Sequence, residues 1–302
     1  MRLLRSGYLS GAAFQVLVSI FASQTWAQAT EIPAVELVRR TVGNETKPDR
    51  SPVKFMFRED KKTPRGIQSR LIVETNQAMV GMTIANDGKP LRAEEQEAEL
   101  KRIQRFVDDA EELRKKQSKE KEDEEHTARI VKALPDAFVF EYGETTSGTE
   151  GVGKPGDPLV RLNFHPKPDY QPPTHVEQVL AGMQGVLLID TKANRIAKID
   201  GTLMKEVGFG WGILGHLDRG GHFLVEQGDV GYGQWEVTRM DLSFTGKVLL
   251  FKSLNVQSDE RFRDFHPVAN DLSFAQGIEL AKKEAQNQGH SCPSMPCSTD
   301  GH

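Results

Sequence analysis

The stretch GVLLIDTKANRIAKIDGTL, Gly185 to Leu203, decides how this chain folds. Two apolar-rich runs, 185–190 and 195–203, flank Lys192-Ala-Asn194, a stretch with turn chemistry. A parallel crossover needs a dozen or more residues, so a join this short predicts an antiparallel hairpin. The same pattern extends outward. Strand-like runs occupy 205–209, 221–230, 234–244 and 247–255 downstream, and 137–142 and 159–165 upstream. Nearer the start, residues 53–59 alternate Val53, Phe55 and Phe57 on one face. Runs at 67–76 and 78–86 continue that block to the turn Asn86-Asp-Gly88. The expectation is about ten strands in one antiparallel sheet.

Inside this region GFGWGILG, Gly208 to Gly215, contains a literal G-x-G-x-x-G at Gly210, Gly212 and Gly215. That motif cradles a pyrophosphate only where a parallel strand turns into a helix. Here a hairpin precedes it and another strand follows, which predicts a bend and no nucleotide site.

The chain has 302 residues and a formal net charge of −4. Without a clustered basic surface, this balance argues against nucleic acid as a partner. Residues 1–29 read as an export signal, with Arg2 and Arg5, an apolar core from Gly11 to Ala22, and Ala27-Gln-Ala29 as the cleavage site. The expected location is periplasmic or extracellular, with no membrane span once the signal is removed.

A first helix is expected over 30–44, with Val35, Val38 and Val42 on one stripe. A helical insertion occupies 92–134, where Leu100, Ile103, Phe106, Val107, Ala110 and Leu113 recur at helical spacing, and Pro135 is expected to stop it. The tract RKKQSKEKEDEE, Arg114 to Glu125, nearly cancels in sign and reads as a solvated helix face or a mobile connection. Two Gly/Pro-rich joins, 143–158 and 166–173, read as loops.

Catalytic templates go unmet. Ser51-Pro-Val-Lys54 matches S-x-x-K but lacks the S-D-N and K-T-G elements of that mechanism. His216 and His222 are separated by the break at Gly220-Gly221 and read as ordinary surface or turn histidines; Asp190, Asp200 and Asp241 receive no catalytic role. No cofactor and no enzymatic activity are expected. In the tail, Cys292 and Cys297 are the only cysteines. An exported chain meets an oxidising compartment, which predicts a local disulfide between them. The alternative is a soft-metal set of Cys292, Met295, Cys297, His290 and His302.

The order of exported chain, first helix, antiparallel strands, helical insertion and long meander, with GVLLIDTKANRIAKIDGTL and GQWEVTRMDLSF (Gly233 to Phe244), resembles the LolA-like superfamily of periplasmic lipoprotein carriers. The resemblance covers about residues 33–256. It implies a mainly β, α+β fold: a curved antiparallel sheet, or incomplete β-barrel, with helices covering the concave face. The domain would run over 30–256, leaving 257–302 as a C-terminal helix and cysteine-containing tail. It further implies an apolar groove that accepts an amphiphile or a lipoprotein acyl chain. Apolar candidates for that groove are Phe55, Phe57, Leu71, Val73, Leu188 and Ile196 from the first strands and the hairpin. Val237, Met240 and Leu242 join them from the meander, and Leu100, Ile103 and Phe106 from the helix. The alternative is an envelope interaction or sensor module whose groove is filled by its own helix.

Overall fold

The computed structural model describes residues 32–47, 53–209, 215–248 and 252–290. The first helix, α1 (Ala34–Glu45), leads into β1 (Lys54–Thr63), β2 (Gly66–Val73), β3 (Val80–Asn86) and the short β4 (Lys89–Pro90). Helices α2 (Ala93–Asp108) and α3 (Ala110–Ala137) follow. The chain continues through β5 (Phe138–Tyr142), β6 (Thr146–Ser147), β7 (Pro158–Pro166) and a 3-10 turn (Glu177–Gly182). Next come β8 (Met183–Asp190), β9 (Arg195–Leu203), β10 (Val207–Phe209), β11 (Gly215–Leu217) and β12 (His222–Asp229). The long strands β13 (Trp235–Val248) and β14 (Lys252–Val268) precede α4 (Phe274–His290).

These strands make one antiparallel sheet in the order β4-β3-β2-β1-β14-β13-β12-β9-β8-β7-β5. The path begins on β4 and ends on β5, so the sheet does not close. Those two edges are consecutive in sequence apart from α2 and α3, which therefore join one edge to the other. At 1.5 Å per residue, the 28 residues of α3 reach about 42 Å. Bulges at Met56/Arg58, Ser69/Arg70, Leu188/Ile189 and Glu226/Gln227 bend the strands as such an open, curved sheet requires.

The opening hairpin forms as its sequence dictates. Asn194 takes φ 55°, and Asp190 Oδ1 accepts the Lys192 and Ala193 amides at 3.0 and 2.9 Å. The turn also docks on α1, because Asn44 Nδ2 donates to the Asn194 carbonyl at 3.1 Å and Thr41 Oγ1 lies 3.3 Å from Asn194 Oδ1. Asn194→Val, β-branched in a left-handed position, is expected to cost about 2 kcal/mol. Asn194→Gly should cost less, and thermal melts of the two variants check the order.

Strand register separates two faces. In one row Leu187, Ile199, Val225, Met240, Glu260 and Lys61 are successive cross-strand partners; in the next, Gly201, Phe223, Leu242 and Ser258 are. The opposite face carries the row Lys198, Glu226, Arg239, Arg261 and Asp60, and the row Asp200, Leu224, Asp241 and Asp259. One side of the central strands is therefore mainly apolar and the other charged, with ion pairs Lys198–Glu226, Arg239–Asp259 and Arg263–Asp60.

Helices cover different parts of these faces. On the apolar side α1 and the last turns of α3 bury Leu37, Val38, Leu134 and Ala137 against Phe138, Leu162, Leu187, Ile189, Ile196 and Leu203. At the other end of the sheet, α4 and α2 place Phe274, Ile278 and Ile103 against Met56, Leu71, Val73, Val80 and Met82. The register pairs Arg58 with Leu71 and with Arg263, so this second core lies on the charged side. α2 also satisfies the free edge of β3: Glu99 accepts the Thr83 amide at 2.7 Å, and Arg102 donates to the Gly81 carbonyl at 2.6 Å. An unsatisfied edge would invite strand addition. Burial opposes ionisation of Glu99, yet the Arg102 guanidinium and the Thr83 amide hold its carboxyl below the usual range.

Three expectations change. The insertion is two helices, broken at Asp109, whose side chain accepts the Glu111 and Glu112 amides as an N-cap. Pro135 does not end α3, which continues to Ala137; the proline lies in the last turn, with only two helical residues after it, and Lys167 Nζ donates to its carbonyl at 3.0 Å. The domain boundary at 256 falls inside β14, which pairs with β1 as far as Val268, and α4 contributes to the core. The charged tract forms the exposed middle of α3, with pairs such as Lys116–Glu120 and Lys119–Asp123.

Candidate functional site

The central strand β13 is incompletely covered. Every residue from Gln234 to Phe244 is only half-buried, although strands flank it on both sides. On its charged side this needs no explanation, since ion pairs tolerate water. On the apolar side, Met240 and Leu242 are half-buried together with Val225 and Phe223 on β12. Phe57 on β1 and Phe262 on β14 extend this side, their rings 6.1 Å apart, and Phe265 stacks on Phe57 at 5.0 Å. Phe55 is buried beneath Phe265 and beneath Tyr232, a residue 65% exposed.

Two ion pairs border this strip. Glu59, opposite Phe262, is buried, and both its oxygens accept from Arg70, at 2.7 Å from Nε and 2.6 Å from Nη2. Glu260, opposite Met240, is buried too and pairs with Lys61 Nζ at 2.5 Å. Arg70 and Lys61 both retain partial solvent access. A polar margin beside an apolar face suits a molecule with a charged head and an apolar body.

A third polar group lies where β2 and β12 end and β13 begins. Glu236 is pushed up to about 7 by burial, then by the neighbouring Glu74, against the opposing charge of Arg195. Glu74 is raised by burial, although it accepts the Phe55 amide at 2.8 Å. Glu45, at the end of α1, is likewise raised by burial despite Arg195, whose Nε lies 3.2 Å away without the alignment of a hydrogen bond. Arg195 also lies 5.9 Å from the Trp235 ring. Two of these carboxyl groups, Glu236 and Glu45, thus share one guanidinium, while Glu74 is offset by Lys54.

The structure divides the groove residues read from sequence. Phe55, Phe57, Met240 and Leu242 belong to the uncovered side or its aromatic border. Ile196 lies on the same side but is buried under α1. Val237 is half-buried beside the Glu226/Gln227 bulge. Leu188 pairs with Arg161 and Lys198, on the charged side. Leu71, Val73 and Ile103 are buried in the α2–α4 core, with Leu100 and Phe106 packed against it. Val225, Phe262 and Phe265 were missed; the alternation in Arg261-Phe262-Arg263 was the available signal.

The flanks of the glycine motif form an antiparallel hairpin, Val207–Phe209 with Gly215–Leu217, and its third glycine opens a strand where a phosphate site requires a helix. Its residues 210–214 lie outside the described residues, as do the export signal, Ser51 and the tail with Cys292, Met295, Cys297 and His302. His290 ends α4, and nothing is described of its side chain. Among the described residues no helix is long and apolar enough to cross a membrane. No protein-family model, curated protein or solved structure matches this chain.

Proposed function

We propose that the protein is an exported, non-enzymatic binding protein that holds the acyl chain of an amphiphile against the apolar side of β12, β13, β14 and β1. The observation that carries this reading is the half-buried central strand: Met240 and Leu242 lie on an apolar side that no helix covers at that point. Contiguous apolar surface left partly open to water is the kind of feature that marks an interaction site. The occupant is an amphiphile because Arg70 and Lys61 stand at the border, where an anionic head would meet partly solvated cations. The LolA-like resemblance points the same way, toward an open sheet that accepts acyl chains.

One observation favours the second reading, a module acting through surface contacts: α1 and the end of α3 already fill the β5–β9 part of the same side with protein. Lipid extraction separates the two. Protein purified from a bacterial host should release a stoichiometric amphiphile detectable by mass spectrometry. Leu242→Asp, which sets a charge in the strip, should reduce that yield about tenfold. An empty wild-type protein, or equal yields from both, favours the interaction module.

A further inference from the structure

The hairpin β10–β11 carries a second constellation, separate from the apolar side. Glu206, His216 and Asp218 each offer one ligand atom, all within 4.8 Å of one another. The register explains why they meet. Gly208 opposes His216 and Val207 opposes Leu217, so the next pair outward is Glu206 with Asp218. Strand alternation then puts Glu206, His216 and Asp218 on one face. Gly208, directly across from His216, adds no side chain to this face.

We propose that these three residues bind one divalent first-row transition ion of the Zn2+ type. An imidazole with two carboxylates suits such an ion, whereas Ca2+ and Mg2+ prefer an all-oxygen shell. Ligand bonds of about 2.1 Å place neighbouring donors roughly 3 Å apart. His216 Nε2 and Asp218 Oδ1 already stand at 3.3 Å. Glu206 is exposed and makes no ion pair or hydrogen bond among the described residues, so a change of rotamer brings its carboxylate in. Asp218 is oriented from outside: its Oδ2 accepts the Thr245 hydroxyl at 2.7 Å and its amide donates to the Thr245 carbonyl at 2.9 Å. Support of this kind commonly fixes metal-binding carboxylates. Three protein ligands leave at least one position for water or an external donor.

A cation shares this face. Lys247 on β13 is the cross-strand partner of His216, so its positive charge lies on the same face and opposes a bound cation. This gives the proposal a signature that an adventitious surface site lacks. The test is calorimetric titration of Zn2+ into the full chain carrying Cys292→Ser and Cys297→Ser, so that the tail offers no thiolate. One Zn2+ should bind per chain. Glu206→Gln, at an exposed position that leaves folding intact, should weaken it at least about tenfold, and His216→Gln should do the same. Lys247→Gln should tighten it, and equimolar Ca2+ should not displace it. Absence of binding, or binding that neither Glu206→Gln nor His216→Gln weakens, overturns the proposal.

Discussion

Arg70→Met should lower the stability of the fold by about 3 kcal/mol, because it leaves the buried carboxylate of Glu59 without its two-pronged donor. The cost falls toward the lower end of the range for broken buried pairs because Arg70 itself keeps some contact with water. The double variant Glu59→Met/Arg70→Met should recover most of the loss, since removing both partners replaces the pair by apolar packing. Urea denaturation of the two variants measures both effects. Equal destabilisation in the double variant would mean that packing by the arginine stem, and not the orphaned charge, dominates.

The second large effect concerns pH. Glu236 titrates near 7 in the folded protein, chiefly because it is buried, and near 4.5 when unfolded. A folded-state value above the unfolded one means that the folded protein holds the proton more tightly. The associated stability is complete below about pH 4.5 and is lost as pH rises through about 7. The full difference corresponds to about 3 kcal/mol. Glu74 and Glu45, both raised, act in the same direction. Glu236→Gln should therefore be more stable than the wild type at pH 8, by up to that amount, with the advantage vanishing by pH 4. A stability difference that does not change between pH 4 and 8 contradicts this account.

What could be read from sequence followed the range of the interactions involved. The β8–β9 hairpin was legible because its turn depends on four consecutive residues, and Asn194 occupies the left-handed position. The amphipathic stripe of α2 was legible for the same reason, since Ile103 and its neighbours recur at the helical period. The break at Asp109 needed knowledge of a cap that competes with helix continuation. The far half of β14 was not legible: Ser258 to Val268 is charge-rich, and its strand character depends on pairing with β1, some 200 residues earlier. For the candidate site, alternation identified apolar strand residues but not their side of the sheet. A one-residue shift in register reverses every side chain. Leu71 and Leu242 look alike in sequence, yet the first is buried beneath α4 and the second faces the uncovered strip. The metal triad was missed because His216 was compared with His222. Its partners are Asp218, just past the end of its own strand, and Glu206 across the hairpin.

Binding of acyl chains is tested most directly by titrating a series of fatty acids of increasing length against delipidated protein, with calorimetry as the readout. Each methylene laid against the strip formed by Val225, Met240, Leu242 and Phe262 should contribute about 0.8 kcal/mol, or roughly fourfold in affinity. The account predicts that steep rise, followed by a plateau once the chain outgrows the strip, and a loss of the rise in Leu242→Asp. Saturable binding at no chain length, or affinity that does not depend on length, would contradict it.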